Sequence, residues 1–266
     1  MTALQRSLTA VRRTLRRGAI SYAPGLWVTY SHWRSPKERE LFWLPRVVPA
    51  GRVAVDVGAH TGIYTRQLAR ISPKVYAFEP GDTFQLLKRS APKNAVVLRI
   101  AVSDVVGSGT LHTPNIQEAA TALATLEPTY VGNARSTAVS LTTLDHALAS
   151  EDIGFLKIDV EGHETRVLKG AIEIIDRCRP VVLFECEERY NPGGLPLITE
   201  FFHERAYAMC FISPSDELVP ISEFTHSKYQ VLGKTPYINN FFALPSRSQA
   251  TANLRPVLRA GSDTAS

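Results

Sequence analysis

Between residues 53 and 62 the chain reads Val53-Ala-Val-Asp-Val-Gly-Ala-His-Thr-Gly62, and Phe78-Glu79-Pro80 follows shortly after. A run of β-branched and small apolar residues, a glycine turn and then a helix start predict a buried strand feeding a crossover helix. The second strand would end at an acid, Glu79. This arrangement makes a nucleoside pocket in an α/β sheet, because the turn admits a ligand to the backbone and the acid can take ribose hydroxyls. The glycines, Gly58 and Gly62, are spaced G-x-x-x-G rather than the G-x-G-x-x-G of dinucleotide sites. Asp56, ahead of the first glycine, would repel a pyrophosphate and would suit an ammonium and a sulfonium. These points favour S-adenosylmethionine (SAM) over NAD.

The rest of the pattern extends the same architecture. Strands are predicted at Val53–Val57, Lys74–Phe78, Ala95–Val102, Phe155–Val160, Pro180–Glu185, Ala208–Ile212 and Ile238–Leu244. Helices are predicted at residues 36–46, Ile63–Ile71, Thr83–Ser90, Leu144–Ala149, Thr165–Asp176 and Leu195–Glu204. Such alternation implies a mostly parallel sheet with helices on both faces. Gly107–Leu111 reads as part of an extra hairpin, and residues 112–137 as a long loop or lid.

A chain of 266 residues can build one large core without staples. Its three cysteines, Cys178, Cys186 and Cys210, form no C-x-x-C pair, and they read as core residues of a protein kept in a reducing cytosol. The net charge of +5 is concentrated at the N-terminus, where residues 1–52 carry ten Arg or Lys against two acids. The remainder is slightly acidic, which argues against a nucleic-acid substrate. Residues 3–17 read as a basic amphipathic helix, packed either on the domain or against an anionic membrane surface. No stretch has the length of a transmembrane helix, and no signal peptide is evident. The expected organisation is an extension over 1–35, a catalytic domain over 36–246 and a tail over 247–266. The expected location is cytoplasmic, with peripheral contact at the inner membrane face through the N-terminal helix.

The chemistry should lie at the strand tips. Glu79 is placed for the ribose, and Ser103 and Asp104 for the adenine, although Asp104 also suits a turn before Gly107. In Leu156-Lys-Ile-Asp-Val-Glu-Gly-His-Glu164 five of nine residues ionise, within what should be a buried strand. Buried charges need partners or a ligand. Asp159, Glu161 and His163 are therefore candidate catalytic groups, with Glu185 from the next strand. His163, Asp159 or Glu185 could take a hydroxyl proton. Asp159, Glu185 and His163 could instead hold a divalent cation. Glu164 reads as a helix-start residue. Asn239 and Asn240, in Tyr237-Ile-Asn-Asn240, could meet a polyol or simply form a turn.

These segments, together with Ala101-Val-Ser-Asp104, Thr143-Leu-Asp145, Leu168-Lys-Gly-Ala171 and Tyr237-Ile-Asn-Asn-Phe241, resemble the FkbM family of SAM-dependent methyltransferases over residues 36–246. The resemblance implies a class I methyltransferase (Rossmann-like) sheet of seven strands with a reversed last hairpin, and O-methylation of sugars or polyketide hydroxyls. Carried over by position, it implies SAM contacts at Asp56, Gly58 and Glu79, with Ser103 and Asp104 near the adenine and Asp159, Glu161 and His163 beside the transferred methyl; His60 and Gly62 of the same turn are candidate cofactor residues beside them. His60 stands where the family often has Asn, as a benign substitution or a changed contact at the cofactor's amino-acid end. The expected activity is O-methylation of a saccharide, glycolipid or glycosylated metabolite. The alternatives are a polyketide or macrolide acceptor, or a non-catalytic SAM-binding module.

Overall fold

The computed structural model describes residues 38–115, 123–127 and 133–246. The basic helix expected over 3–17 and the tail after 246 lie outside the described residues, as does part of the 112–137 segment.

An eight-stranded sheet forms the centre. Its strands are β1 (Val53–Val57), β2 (Val75–Phe78), β3 (Ala95–Leu98), β7 (Ile153–Ile158), β8 (Val181–Glu185), β9 (Tyr207–Ile212), β10 (Leu218–Pro220) and β11 (Asn240–Pro245). They lie in the order β10-β9-β11-β8-β7-β1-β2-β3. β1 pairs in parallel with both β2 and β7, whereas β11 runs antiparallel to β8 and β9. The chain leaves β1 toward β3 on one side and later fills β7 and β8 on the other. The topological switch point, where such sheets bind ligands, therefore lies between β1 and β7.

Alternation along the strands sorts the core into two layers. Val55, Val57, Leu156, Ile158, Phe184 and Phe241 face one layer. That layer is closed by α5 (Glu164–Lys169), α6 (Ile172–Cys178) and α7 (Gly194–Glu204). Ala54, Phe155, Leu183 and Phe242 face the other. There α1 (Glu40–Val47) and α2 (Ile63–Leu68) bury Leu41, Leu44, Val47, Tyr64 and Leu68. Cys178, Cys186 and Cys210 are free and buried.

Several boundaries differ from the sequence reading. The central sheet has eight strands rather than seven, because the short edge strand β10 pairs with β9. The helix expected over Thr165–Asp176 breaks into α5 and α6. Gly170 sits at the break, where a Cβ would come within 2.1 Å of the Ser103 carbonyl oxygen, so the chain turns there to pass that loop. The expected third strand splits into β3 and β4 (Ala101–Val102). β4 belongs to a separate three-stranded sheet with β5 (Gly107–Pro114) and β6 (Ala134–Thr142). The two ends of the expected 112–137 loop are thus hairpin, paired from Gly107–Leu141 out to Pro114–Ala134. β7 ends at Ile158, two residues earlier than expected, so Asp159–Gly162 form a turn, with Glu161 at φ 53°. Among the described residues no helix is long and apolar enough to cross a membrane.

Candidate active site

A cavity of about 260 Å³ opens at the switch point. Its wall includes Val57–Thr61 from the β1 turn, Phe78–Pro80 from β2, Ile100–Val102, and Lys157 with Asp159–Glu161, His163 and Glu185. Leu111 and Ala124–Leu126 close it from the hairpin side. Gly58, His60, Glu79, Asp159, Glu161, His163 and Glu185 are therefore brought together. Asp56, Gly62, Ser103, Asp104, Asn239 and Asn240 are not on this wall.

The reason Asp56 is absent lies in the register. Asp56 pairs with Lys157 across the parallel β1–β7 ladder, and both side chains point into the layer under α2 rather than past the strand end. Asp56 is fully buried. Its Oδ2 accepts from Thr65 Oγ1 at 2.5 Å, and its Oδ1 lies 3.5 Å from Lys157 Nζ. The ligand-facing role read from its position is corrected: Asp56 anchors Lys157. That ammonium also donates to the Gly58 carbonyl at 3.1 Å, pairs with Asp159 Oδ2 at 3.0 Å, and lies 4.9 Å from the Tyr64 ring centroid. Burial disfavours its charge, but Asp159 and Asp56 outweigh that and push its pKa above the usual lysine value.

Gly58 is also explained differently than expected. It has φ 75°, and a Cβ there would sit 1.7 Å from the Asp159 carbonyl oxygen. The missing side chain lets the β1 and β7 tips approach each other, and the glycine also lines the cavity. At Gly62 a Cβ would lie 2.5 Å from Leu87 Cδ1, so that glycine serves helix packing.

Glu79 sits at the β2 tip as expected. Its Oε2 accepts from the His60 amide at 2.8 Å and its Oε1 from the Gly81 amide at 2.7 Å. The Thr83 side chain also hydrogen-bonds this carboxylate, which leaves acceptor capacity for a further donor. Burial raises its pKa against these hydrogen bonds.

Opposite Glu79, Asp159, Glu161 and Glu185 gather with oxygens within 4.8 Å of one another, which makes them the candidate metal ligands among the described residues. His163 is not part of this group. Burial, with Asp159 adding like charge, raises Glu161 to about 9 and moves Glu185 well above the carboxylate range. Asn239 Nδ2 donates to Glu185 and, at 3.0 Å, to Glu187. Asn239 thus supports the cluster from behind, and Asn240 Nδ2 donates to Asn239 Oδ1 at 3.2 Å. β11 does bring these asparagines to the Glu185 rim, since Asn240 pairs with Glu185, but not onto the wall.

His163 has both ring nitrogens engaged. Nδ1 lies 2.7 Å from Glu127 Oε1 and Nε2 lies 2.9 Å from Ser103 Oγ. A carboxylate only accepts, so Nδ1 donates to Glu127, while Nε2 and Asp104 Oδ1, the latter at 3.0 Å, compete for the one Ser103 hydroxyl hydrogen. Burial holds its pKa below the usual value, with Glu127 opposing. Ser103 and Asp104, expected beside the adenine, instead serve this network, and Asp104 Oδ2 lies 3.4 Å from Arg166. Glu164 is buried at the start of α5, accepts from the Gly162 amide at 2.9 Å, and is raised by burial to about 7.

Glu38, Tyr64 and Glu127 are absent from the sequence-derived site. Glu127 carried a faint signal, as one of two acids in residues 112–137. Glu38 and Tyr64 carried none, because their approach to the turn depends on how α1 packs on α2.

A doubly covered sheet with a polar pocket at its switch point, an acid at the β2 tip and a second acidic group across from it defines a class I nucleoside-binding α/β fold. Residues 56–209 match the methyltransferase FkbM domain, more than half of the chain, and the protein belongs to that family of methyltransferases. Among solved structures it is similar to methyltransferase FkbM from Methylobacillus flagellatus KT, at 15% identity and a TM-score of 0.47, over 73% of this chain and 43% of that one. It therefore spans less than half of that protein. It is also similar to an rRNA methylase from Streptococcus thermophilus, at 16% identity and a TM-score of 0.42, over 77% of this chain and 93% of that one. A TehB-like SAM-dependent methyltransferase from Corynebacterium glutamicum gives 12% identity and a TM-score of 0.41, over 81% and 94%. No curated protein matches the chain.

Proposed function

We propose that this methyltransferase uses SAM to methylate a hydroxyl of a polyhydroxylated acceptor, a saccharide or a saccharide-bearing metabolite. The observation that carries this reading is the Asp159–Glu161–Glu185 group on the wall opposite Glu79. The pocket suits the cofactor in its donor set. Glu79 has acceptor capacity left for a ribose hydroxyl, and Phe78, Ile100–Val102, Leu111 and Leu126 offer an apolar slot for a base. When bound, SAM supplies an electrophilic methyl group on a sulfonium.

The protein's own groups then have distinct tasks. Asp159, ion-paired with Lys157, is the carboxylate that accepts the acceptor hydroxyl's proton. Glu161, raised to about 9, donates a hydrogen bond, and with Glu185 beside it holds the acceptor in line, where proximity contributes most of the rate. His163 keeps its hydrogen bonds to Ser103 and Glu127 and positions the wall rather than acting as the base.

The test is transfer of labelled methyl from SAM to a panel of saccharides, glycolipids, polyketide alcohols and amines, with the product bond read by NMR. O-methyl sugars support the proposal, and label confined to polyketides or amines overturns it. Cofactor binding with no label in any acceptor favours a binding module. The 4.8 Å carboxylate group also favours a second reading, in which a hard divalent cation binds there through oxygen ligands. Activity lost on chelation and restored by Mg²⁺ would support that reading, whereas activity indifferent to chelation rejects it.

A further inference from the structure

With Asp56 withdrawn beneath α2, the expected partner for the ammonium of a methionine-type cofactor is gone. Resting on the reading of this pocket as a SAM site, we propose that Glu38 is the carboxylate that receives that ammonium.

Glu38 stands on the pocket wall, next to the Gly58–Thr61 turn, Ile63 and Tyr64. The other wall carboxylates are committed elsewhere. Glu79 holds the His60 and Gly81 amides. Asp159 is paired with Lys157. Glu161 and Glu185 belong with Asp159 to the carboxylate group opposite Glu79.

Glu38 is also held in place. It immediately precedes α1, whose Leu41, Leu44 and Val47 are buried in one cluster with Tyr64 and Leu68 of α2. The Tyr64 hydroxyl hydrogen-bonds the Glu38 carboxylate. Its charge is felt by its neighbours: it helps raise Glu40 to about 7, helps raise Tyr64, and adds to the acids that stabilise the Lys157 ammonium. Among the described residues the Lys157 cation feels three acids, Asp56, Asp159 and Glu38. An arriving ammonium would meet Glu38 on the pocket wall, whereas Asp56 lies off it and Asp159 is held by Lys157. Glu38 lies upstream of the matched 56–209 segment, so the family match does not assign it.

Calorimetric titration of the full chain with two compounds tests this. S-adenosylhomocysteine carries the amino-acid end, and 5′-methylthioadenosine lacks it while keeping the adenosine and the thioether. E38Q should raise the Kd for S-adenosylhomocysteine about 10- to 100-fold, the range of a charge-assisted hydrogen bond, and leave that for methylthioadenosine unchanged. E38D should recover part of the loss, and the unliganded Tm of E38Q should stay close to wild type. Equal losses for both compounds, or no loss for either, would overturn the assignment. A wild-type protein that binds neither compound would overturn the cofactor site and Glu38 together. A wild type that binds both, with E38Q indistinguishable from it, would reject Glu38 alone.

Discussion

At the scale of single residues, two positions that looked ligand-directed are explained by the protein's own packing. Asp56 and Lys157 face each other in ladder register, so strand alternation sends both into the layer under Tyr64. Sequence alone gives the position of Asp56 at a strand end, but not which face its side chain takes. Gly58 yields to the Asp159 carbonyl oxygen, and G58A should therefore destabilise the fold by about 3 kcal/mol or more, read by chemical denaturation. A G58A protein of wild-type stability would contradict the close approach of the two strand tips. Glu161 predicts a pH effect. Its folded pKa, about 9 against an ordinary 4.5, means that the folded state keeps a proton the unfolded chain releases. Its contribution is thus complete below pH 4.5 and is lost as pH rises toward 9. Glu40 and Glu164, raised to about 7, add losses of the same sign that end near neutrality. Tm should fall from pH 5 to 9, and E161Q should lessen the decline above pH 7, where Glu185, also raised, adds a loss of the same sign. A Tm that rises over that range in the wild type would refute the burial argument.

At the scale of elements, the short segment carrying Ala124–Leu126 matters beyond its size. It lines the pocket, pairs with the hairpin through Thr125 and His112, and is tied to the α5 start by Glu127 and His163. E127A should raise the KM for SAM roughly 5- to 20-fold with little change in kcat, while E127Q, which keeps an acceptor for Nδ1, should stay near wild type. A kcat loss shared by both variants would point instead to a direct chemical role. The strands of the central sheet were legible because apolar runs bounded by glycine, proline and acids have few alternatives. The β5–β6 hairpin was only half legible. Its outer residues, such as Ser136 and Arg135, alternate weakly, and its partner strand lies far along the chain. The break between α5 and α6 was illegible for a similar reason, since it follows from the Ser103 loop pressing on Gly170.

At the scale of the whole molecule, the function follows from the sheet's switch point. β1 and β2 bring the glycine turn and Glu79 to one wall, and β7 and β8 bring Asp159, Glu161 and Glu185 to the other. This division could be read from the sequence because strand tips carry the ionisable residues. The links within each wall could not, since Lys157–Asp159, Asn239–Glu185 and Glu127–His163 are contacts between distant segments. The central claim is that the second wall performs methyl transfer on a cofactor held mainly by the first. The most direct measurement is methyl transfer by D159N, with S-adenosylhomocysteine affinity determined on the same preparation. The account predicts a kcat lower by about 10²- to 10⁴-fold, with cofactor affinity within roughly threefold of wild type. Transfer at the wild-type rate by a well-folded D159N would contradict it.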